Sequence, residues 1–161
     1  MLANDAGGQT GRMVRWADFE AEAPALATFG RERLSTPPAY LATVSAGEAP
    51  RVHPVTPIIG GGFLFVFMEP SSPKGRDLKE RRWYALHNGV PNIQGSGGEF
   101  WVRGQASVVS DRTIRRIAAE ASSVEPAERY VLYELGVDEA RCNGYGDVLL
   151  PEPTRWAAAS E

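Results

Sequence analysis

The sequence has one cysteine, Cys142, in 161 residues, and only two histidines, His53 and His87. A lone cysteine excludes an internal disulfide and a multi-thiolate metal cluster, and it fits a reducing compartment. His53, His87 and Cys142 show no short ligand spacing of the H-x3-H or C-x2-C kind, so no metal site is expected. Long hydrophobic runs are missing too. The most apolar stretch, around Pro57 to Met68, is interrupted by Gly60-Gly61-Gly62 and is too short to span a bilayer. Neither sign of charge dominates: 17 Lys and Arg against 20 Asp and Glu leave a net charge of -3. Such a balance carries no overall electrostatic footprint for nucleic acid or an anionic membrane, so any anion site must be local. Met1 to Gly11 is small and polar, without the apolar core of a signal peptide. A cytoplasmic protein is expected, with a disordered tail over 1–13 and a single domain over 14–161. No catalytic triad or carboxylate pair is visible, and no catalytic residue is assigned.

What is present is a succession of short β-rich runs. Trp16 to Leu34 has apolar residues near helical spacing, with Pro24 breaking or starting a helix. Ala39 to Val44 reads as a strand and Ala46-Gly47-Glu48 as a turn. The run Arg51 to Ile59 carries Pro54 and Pro57, which mark an edge or a bulge. Gly60 to Gly62 turns the chain into Phe63 to Phe67, apolar at every position and so expected to be buried on both faces. Trp83 to His87, Glu99 to Val109 and Tyr130 to Leu135 complete the strands, the last continuing through Ala140 to Tyr145. Asn88 to Gly98 reads as a flexible loop on the rim of a site. Ser110 or Asp111 caps a helix with Ile114, Ile117, Ala118 and Ala121 on its apolar face. The expected class is mainly β (α+β), a six-stranded antiparallel barrel with peripheral helices.

Ser71-Ser72-Pro73-Lys74-Gly75-Arg76-Asp77-Leu78 follows the most apolar strand. Ser72 stands at an N-cap and Pro73 at the first helical position. Lys74 and Arg76 then place two cations in the first turn, against the helix dipole. A bound phosphate offsets that mismatch, and a surface helix that is basic by chance is the plain alternative.

These blocks resemble the flavin-binding split β-barrels related to pyridoxamine 5'-phosphate oxidase. The resemblance is carried by Tyr40 to Val44, Pro50 to Pro57, Ser72 to Leu78, Tyr84 to His87 and Gly98 to Ala106. It implies a homodimer with FMN at the subunit interface. Lys74 and Arg76 would then hold the phosphate, with Ser72 as a supporting donor. Arg51, Val52, His53, Pro54 and Val55 would line the ring or ribityl chain, Phe67 and Met68 its floor, and Trp101 and Gln105 would add contacts from the same or the partner subunit. The tail Arg155 to Glu161 has one arginine where the true pyridoxamine phosphate oxidases carry an arginine motif. The resemblance therefore points to the branch that uses FMN or the deazaflavin coenzyme, or binds haem or bilins. An oxidoreductase acting on an unidentified small molecule is one expectation. A non-catalytic flavin or haem binder, with His87 as an axial ligand, is the other.

Overall fold

The computed structural model describes residues 12–36 and 38–160. The expected tail over 1–13 falls outside the described residues except for Arg12 and Met13, and Met13 lies against Gly136. Among the described residues the elements run α1 (Trp16–Glu22), α2 (Pro24–Leu34), β1 (Ala39–Val44), β2 (Pro50–Val55), β3 (Ile58–Gly60), β4 (Phe63–Met68) and α3 (Pro73–Glu80). Then follow β5 (Trp83–Asn88), β6 (Glu99–Val108), α4 (Arg112–Ala121), β7 (Val131–Leu135), β8 (Glu139–Asn143) and β9 (Arg155–Ala157). Pro24 supplies the first residue of α2, so the two N-terminal helices meet at Ala23.

The strands pair antiparallel in the order β2-β1-β5-β6-β7-β4-β3. The two ends of that path are one length of chain. β2 pairs with β1 over Pro50–Val55, and after the break at Thr56-Pro57 the chain resumes as β3, which pairs with β4. A proline donates no ladder hydrogen bond, so the strand can leave one neighbour and join another at this point. Counting β2 and β3 as one bent strand, six strands close a ring that is split at Thr56-Pro57. This is a mainly β split barrel with peripheral helices.

β6 is the other bent member. Glu99 to Arg103 pairs with β8, and Ala106 to Val108 pairs with β7. The switch occurs at Gly104, where a Cβ would collide with the backbone carbonyl of Gly136. The strand expected to continue from Leu135 to Tyr145 is therefore broken over Gly136 to Asp138, and β8 begins a new ladder with β9.

Two apolar clusters flank β4. Leu64, Val66 and Met68 face the barrel interior with Leu41, Leu86, Phe100 and Val102. Phe65 and Phe63 face outward and are covered by Ala118 of α4 with Ile114 and Ile117 around it. The helix on the outside is why this strand lacks polar alternation. Asp111 holds the start of α4, accepting from the amides of Thr113 at 2.8 Å and Ile114 at 3.0 Å. α1 and α2 close one mouth of the barrel through Trp16, Phe19 and Phe29. Gly30 lets α2 lie directly on the Phe100 ring, where a Cβ has no room.

Candidate cofactor groove

α3 starts immediately past the end of β4, and several contacts fix that start. Ser72 Oγ accepts from the Gly75 amide at 3.1 Å. Gly75 sits close under this cap: a Cβ there would lie 2.9 Å from Ser72 Oγ, so the hydroxyl would have to shift. Tyr133 of β7 donates its hydroxyl to the Gly75 carbonyl at 2.8 Å. Farther along, the buried Asp77 carboxylate accepts from Thr43 Oγ1 of β1 at 2.8 Å and from Arg51 Nε of β2 at 3.0 Å. This acid, on the barrel side of a basic helix, thus ties it to two strands.

A groove of about 370 Å³ lies beside this helix start. Pro54 and Val55 of β2, Phe67 and Met68 of β4, and Lys74 of α3 line it. Its far wall is the segment after α4, including Val124, Glu125, Pro126 and Tyr130. The walls are mostly apolar and Lys74 supplies a cation. Glu69, also in the lining, is occupied by Arg129, which lies 3.0 Å away. Among the described residues Lys74 and Arg76 have no carboxylate partner. His53 precedes Pro54 in β2, on the inward face opposite Leu41, and does not line the groove. Its Nε2 is sealed from solvent and has no hydrogen-bond partner. Burial first, then the charges of Lys74 and Arg51, hold the His53 imidazole below its ordinary 6.5, against the pull of Asp77.

Five of the twelve expected positions therefore meet at one groove: Pro54, Val55, Phe67, Met68 and Lys74. Ser72 caps α3, and its hydroxyl hydrogen stays free to donate. Arg51 is tied to Asp77 and does not line the groove. Arg76 faces solvent. Val52 points to the outside of the barrel and is 65% exposed. Trp101 and Gln105 lie on that same outer face, opposite His87 and Trp83 of β5, away from the groove of their own chain. Ser96, Gly97 and Gly98 of the Gly-rich loop edge a different cavity of about 410 Å³ with Arg33, Tyr40 and Asn88. Sequence reasoning missed Val124, Pro126 and Tyr130, which no local motif marks, and the Thr43–Asp77 bond. The one signal for the latter was an acid set among Lys74, Arg76 and Lys79.

His87 is fully engaged. Its Nδ1 faces the Asn88 carbonyl, and its Nε2 lies 3.3 Å from Glu99 Oε2. Burial alone would raise the Glu99 carboxyl, but hydrogen bonds from Asn143 and Tyr145 and the His87 charge outweigh it and hold the group below its ordinary value. Arg155, the one arginine of the tail, pairs with Glu139 at 3.0 Å.

A group with a flat apolar body and an anionic end directed at Lys74 fits the apolar walls and this cation, with the carboxylates of Glu69 and Glu125 elsewhere in the lining. No family model and no curated protein matches the sequence. Solved structures do match. A heme-binding protein from Mycobacterium smegmatis superimposes with a TM-score of 0.60 at 16% identity over 81% of this chain. The chain spans 57% of that protein's length. HutZ, the heme storage protein from Vibrio cholerae, matches with a TM-score of 0.56 at 17% identity, covering 76% of this chain and 95% of its own. A candidate pyridoxamine 5'-phosphate oxidase from Listeria innocua gives 0.56 at 17% identity, covering 70% of this chain and 93% of that one. At such identities the likeness is one of fold. The chain has the split-barrel fold of the pyridoxamine 5'-phosphate oxidase-like proteins.

Proposed function

We propose that this protein binds a phosphate-bearing flavin, FMN in the first instance, in the groove beside α3 and serves as a flavin-dependent oxidoreductase. The observation that carries the reading is Lys74, a cation without a carboxylate partner among the described residues, opening onto walls made by Val55, Phe67 and Met68. Lys74 would hold the phosphate, helped by the Ser72 hydroxyl. Val55, Phe67 and Met68 would exclude water from one face of the ring. A bound flavin supplies reversible two-electron chemistry, and the protein's part is to bind, orient and shield it. The deazaflavin coenzyme shares the planar body and phosphate and is the second cofactor for the same groove.

Homodimerisation belongs to this reading. The outer faces of β2, β1, β5 and β6 form one sheet surface in which Val52, Tyr40 and Trp83 are 65%, 44% and 52% exposed. Trp101 lies on that surface as well. A second copy seated there would cover an apolar patch and bring Trp101 and Gln105 toward a partner.

Haem has a specific argument in the heme-binding structural neighbours. Against it, the chain has two histidines only, and neither lines the groove: both ring nitrogens of His87 are engaged, and His53 Nε2 is sealed from solvent. The test is titration with FMN, deazaflavin coenzyme and haemin, followed by absorbance and flavin fluorescence. FMN or deazaflavin saturating at one per chain supports the reading, and a reductant screen can then look for turnover. Uptake of haemin alone, with a histidine-ligated spectrum, overturns it.

A further inference from the structure

The far wall of the groove lies between the end of α4 at Ala121 and the start of β7 at Val131, without regular secondary structure. At its beginning the Ser122 hydroxyl donates to the Val124 carbonyl at 2.6 Å. At its other end the carbonyls of Ala127, Glu128 and Tyr130 converge on one side chain of α4. Arg115 Nη1 donates to Tyr130 at 2.8 Å, and Nη2 donates to Glu128 at 3.1 Å and to Ala127 at 3.3 Å. Between these two ties lie Val124, Glu125 and Pro126, all part of the lining. The same guanidinium lies 5.1 Å from the centre of the Phe67 ring, and Phe67 also lines the groove. Arg129 adds a tie to Glu69 at 3.0 Å, but its side chain is 65% exposed and that of Glu69 40%, and such pairs contribute little. Arg115 is half-buried and its bonds are charge-assisted, so it dominates.

We propose that Arg115 is a positioning residue for this groove: it holds the wall segment and the Phe67 ring in one arrangement, preformed for a planar ring system. The inference rests on the flavin reading above and adds to it the residue that sets the ring end of the site. Arg115 does not itself line the groove, so it acts only through what it holds. A wall already in place spares the ligand the cost of ordering it. Lysine is a poor substitute, since an ammonium lacks both the planar fork and the flat face that stacks on an aromatic ring. Because the wall meets the ring and not the phosphate, its loosening weakens FMN and riboflavin alike. Removal of Lys74 weakens FMN alone.

The experiment titrates FMN and riboflavin by fluorescence quenching into the wild type, Arg115→Lys and Arg116→Ala. Arg116 is the control, an exposed neighbour on α4 that pairs with Glu120 and not with the wall. Amide hydrogen exchange over 122–130 is followed without ligand. Arg115→Lys is expected to lose about three- to tenfold in affinity for both flavins, the cost of ordering one loop side chain. Exchange over 122–130 speeds up while β7 keeps its protection, and the fluorescence anisotropy of bound FMN falls. Arg116→Ala matches the wild type throughout. Arg115→Gln, with two N–H donors on a shorter stem, takes the place of the lysine variant if that variant unfolds. A residue that only stabilises the fold would lower the thermal midpoint and leave affinity and anisotropy unchanged well below it. That result overturns the inference, as does unchanged exchange or a loss confined to FMN, and the flavin reading then stands. If the wild type takes up no FMN, the flavin reading falls and the inference with it.

Discussion

Asp77 shows how a single side chain can hold a site without touching a ligand. Its carboxylate joins Thr43 and Arg51 at 2.8 and 3.0 Å, so Asp77→Ala leaves Arg51 and Thr43 without their acceptor. A stability loss of about 1–3 kcal/mol is expected by urea denaturation. His53 contributes with a definite sign. Its native pKa lies below 6.5, so the unfolded chain binds more protons between that lowered value and 6.5. The contribution is fully present above 6.5 and is lost as pH falls through the native value. Urea midpoints between pH 5 and 8 are expected to drop on the acid side in the wild type and to drop less in His53→Gln. At this scale the sequence was only half legible. The Ser72 cap and the Lys74 cation follow from local rules. The role of Arg51 does not, because its partner lies 26 positions away in a different element.

At the scale of elements, glycines set how closely pieces can approach. Gly75 seats α3 on the end of β4, and Gly75→Ala pushes into the Ser72 cap. A loss of about 1 kcal/mol, the worth of an N-cap, is expected, together with weaker FMN binding as the helix start moves away from the groove. Gly104→Ala meets the Gly136 backbone at the crossing where β6 changes partners, and backbone cannot rotate aside. Thermal unfolding is expected to show a loss of at least about 2 kcal/mol there. A glycine inside a strand marks either a bulge or a close approach, and Gly104 is a close approach between strands. The two call for the same residue, and only the pairing distinguishes them. The bent strand β2–β3 was legible because Pro54 and Pro57 each remove a ladder donor, so a β-rich run that holds both must lie at an edge or bend. The far wall, Val124 to Tyr130, was not, since it comes to the groove by tertiary packing alone.

For the whole molecule, the closed ring buries one face of β1, β4, β5, β6 and β7, and the outer face of β2, β1, β5 and β6 keeps Val52, Tyr40 and Trp83 in the open. The proposed second copy would cover that surface and would place Trp101 and Gln105, which do not line the groove of their own chain, near a partner. The paired substitution Val52→Glu and Trp83→Glu is expected to convert a dimer to a monomer by light scattering and to weaken FMN binding at the same time. A wild-type monomer at tens of micromolar would contradict this. Among the described residues no helix is long and apolar enough to cross a membrane.

The central claim is that Lys74 receives the phosphate of a flavin, and a four-way titration tests it most directly. FMN and riboflavin are each titrated into the wild type and Lys74→Ala by fluorescence quenching. The account predicts that FMN loses about ten- to a hundredfold in affinity on substitution, about 1.5–3 kcal/mol for a charge-assisted contact, while riboflavin is unchanged. Equal losses for the two ligands, or no loss for FMN, would contradict it.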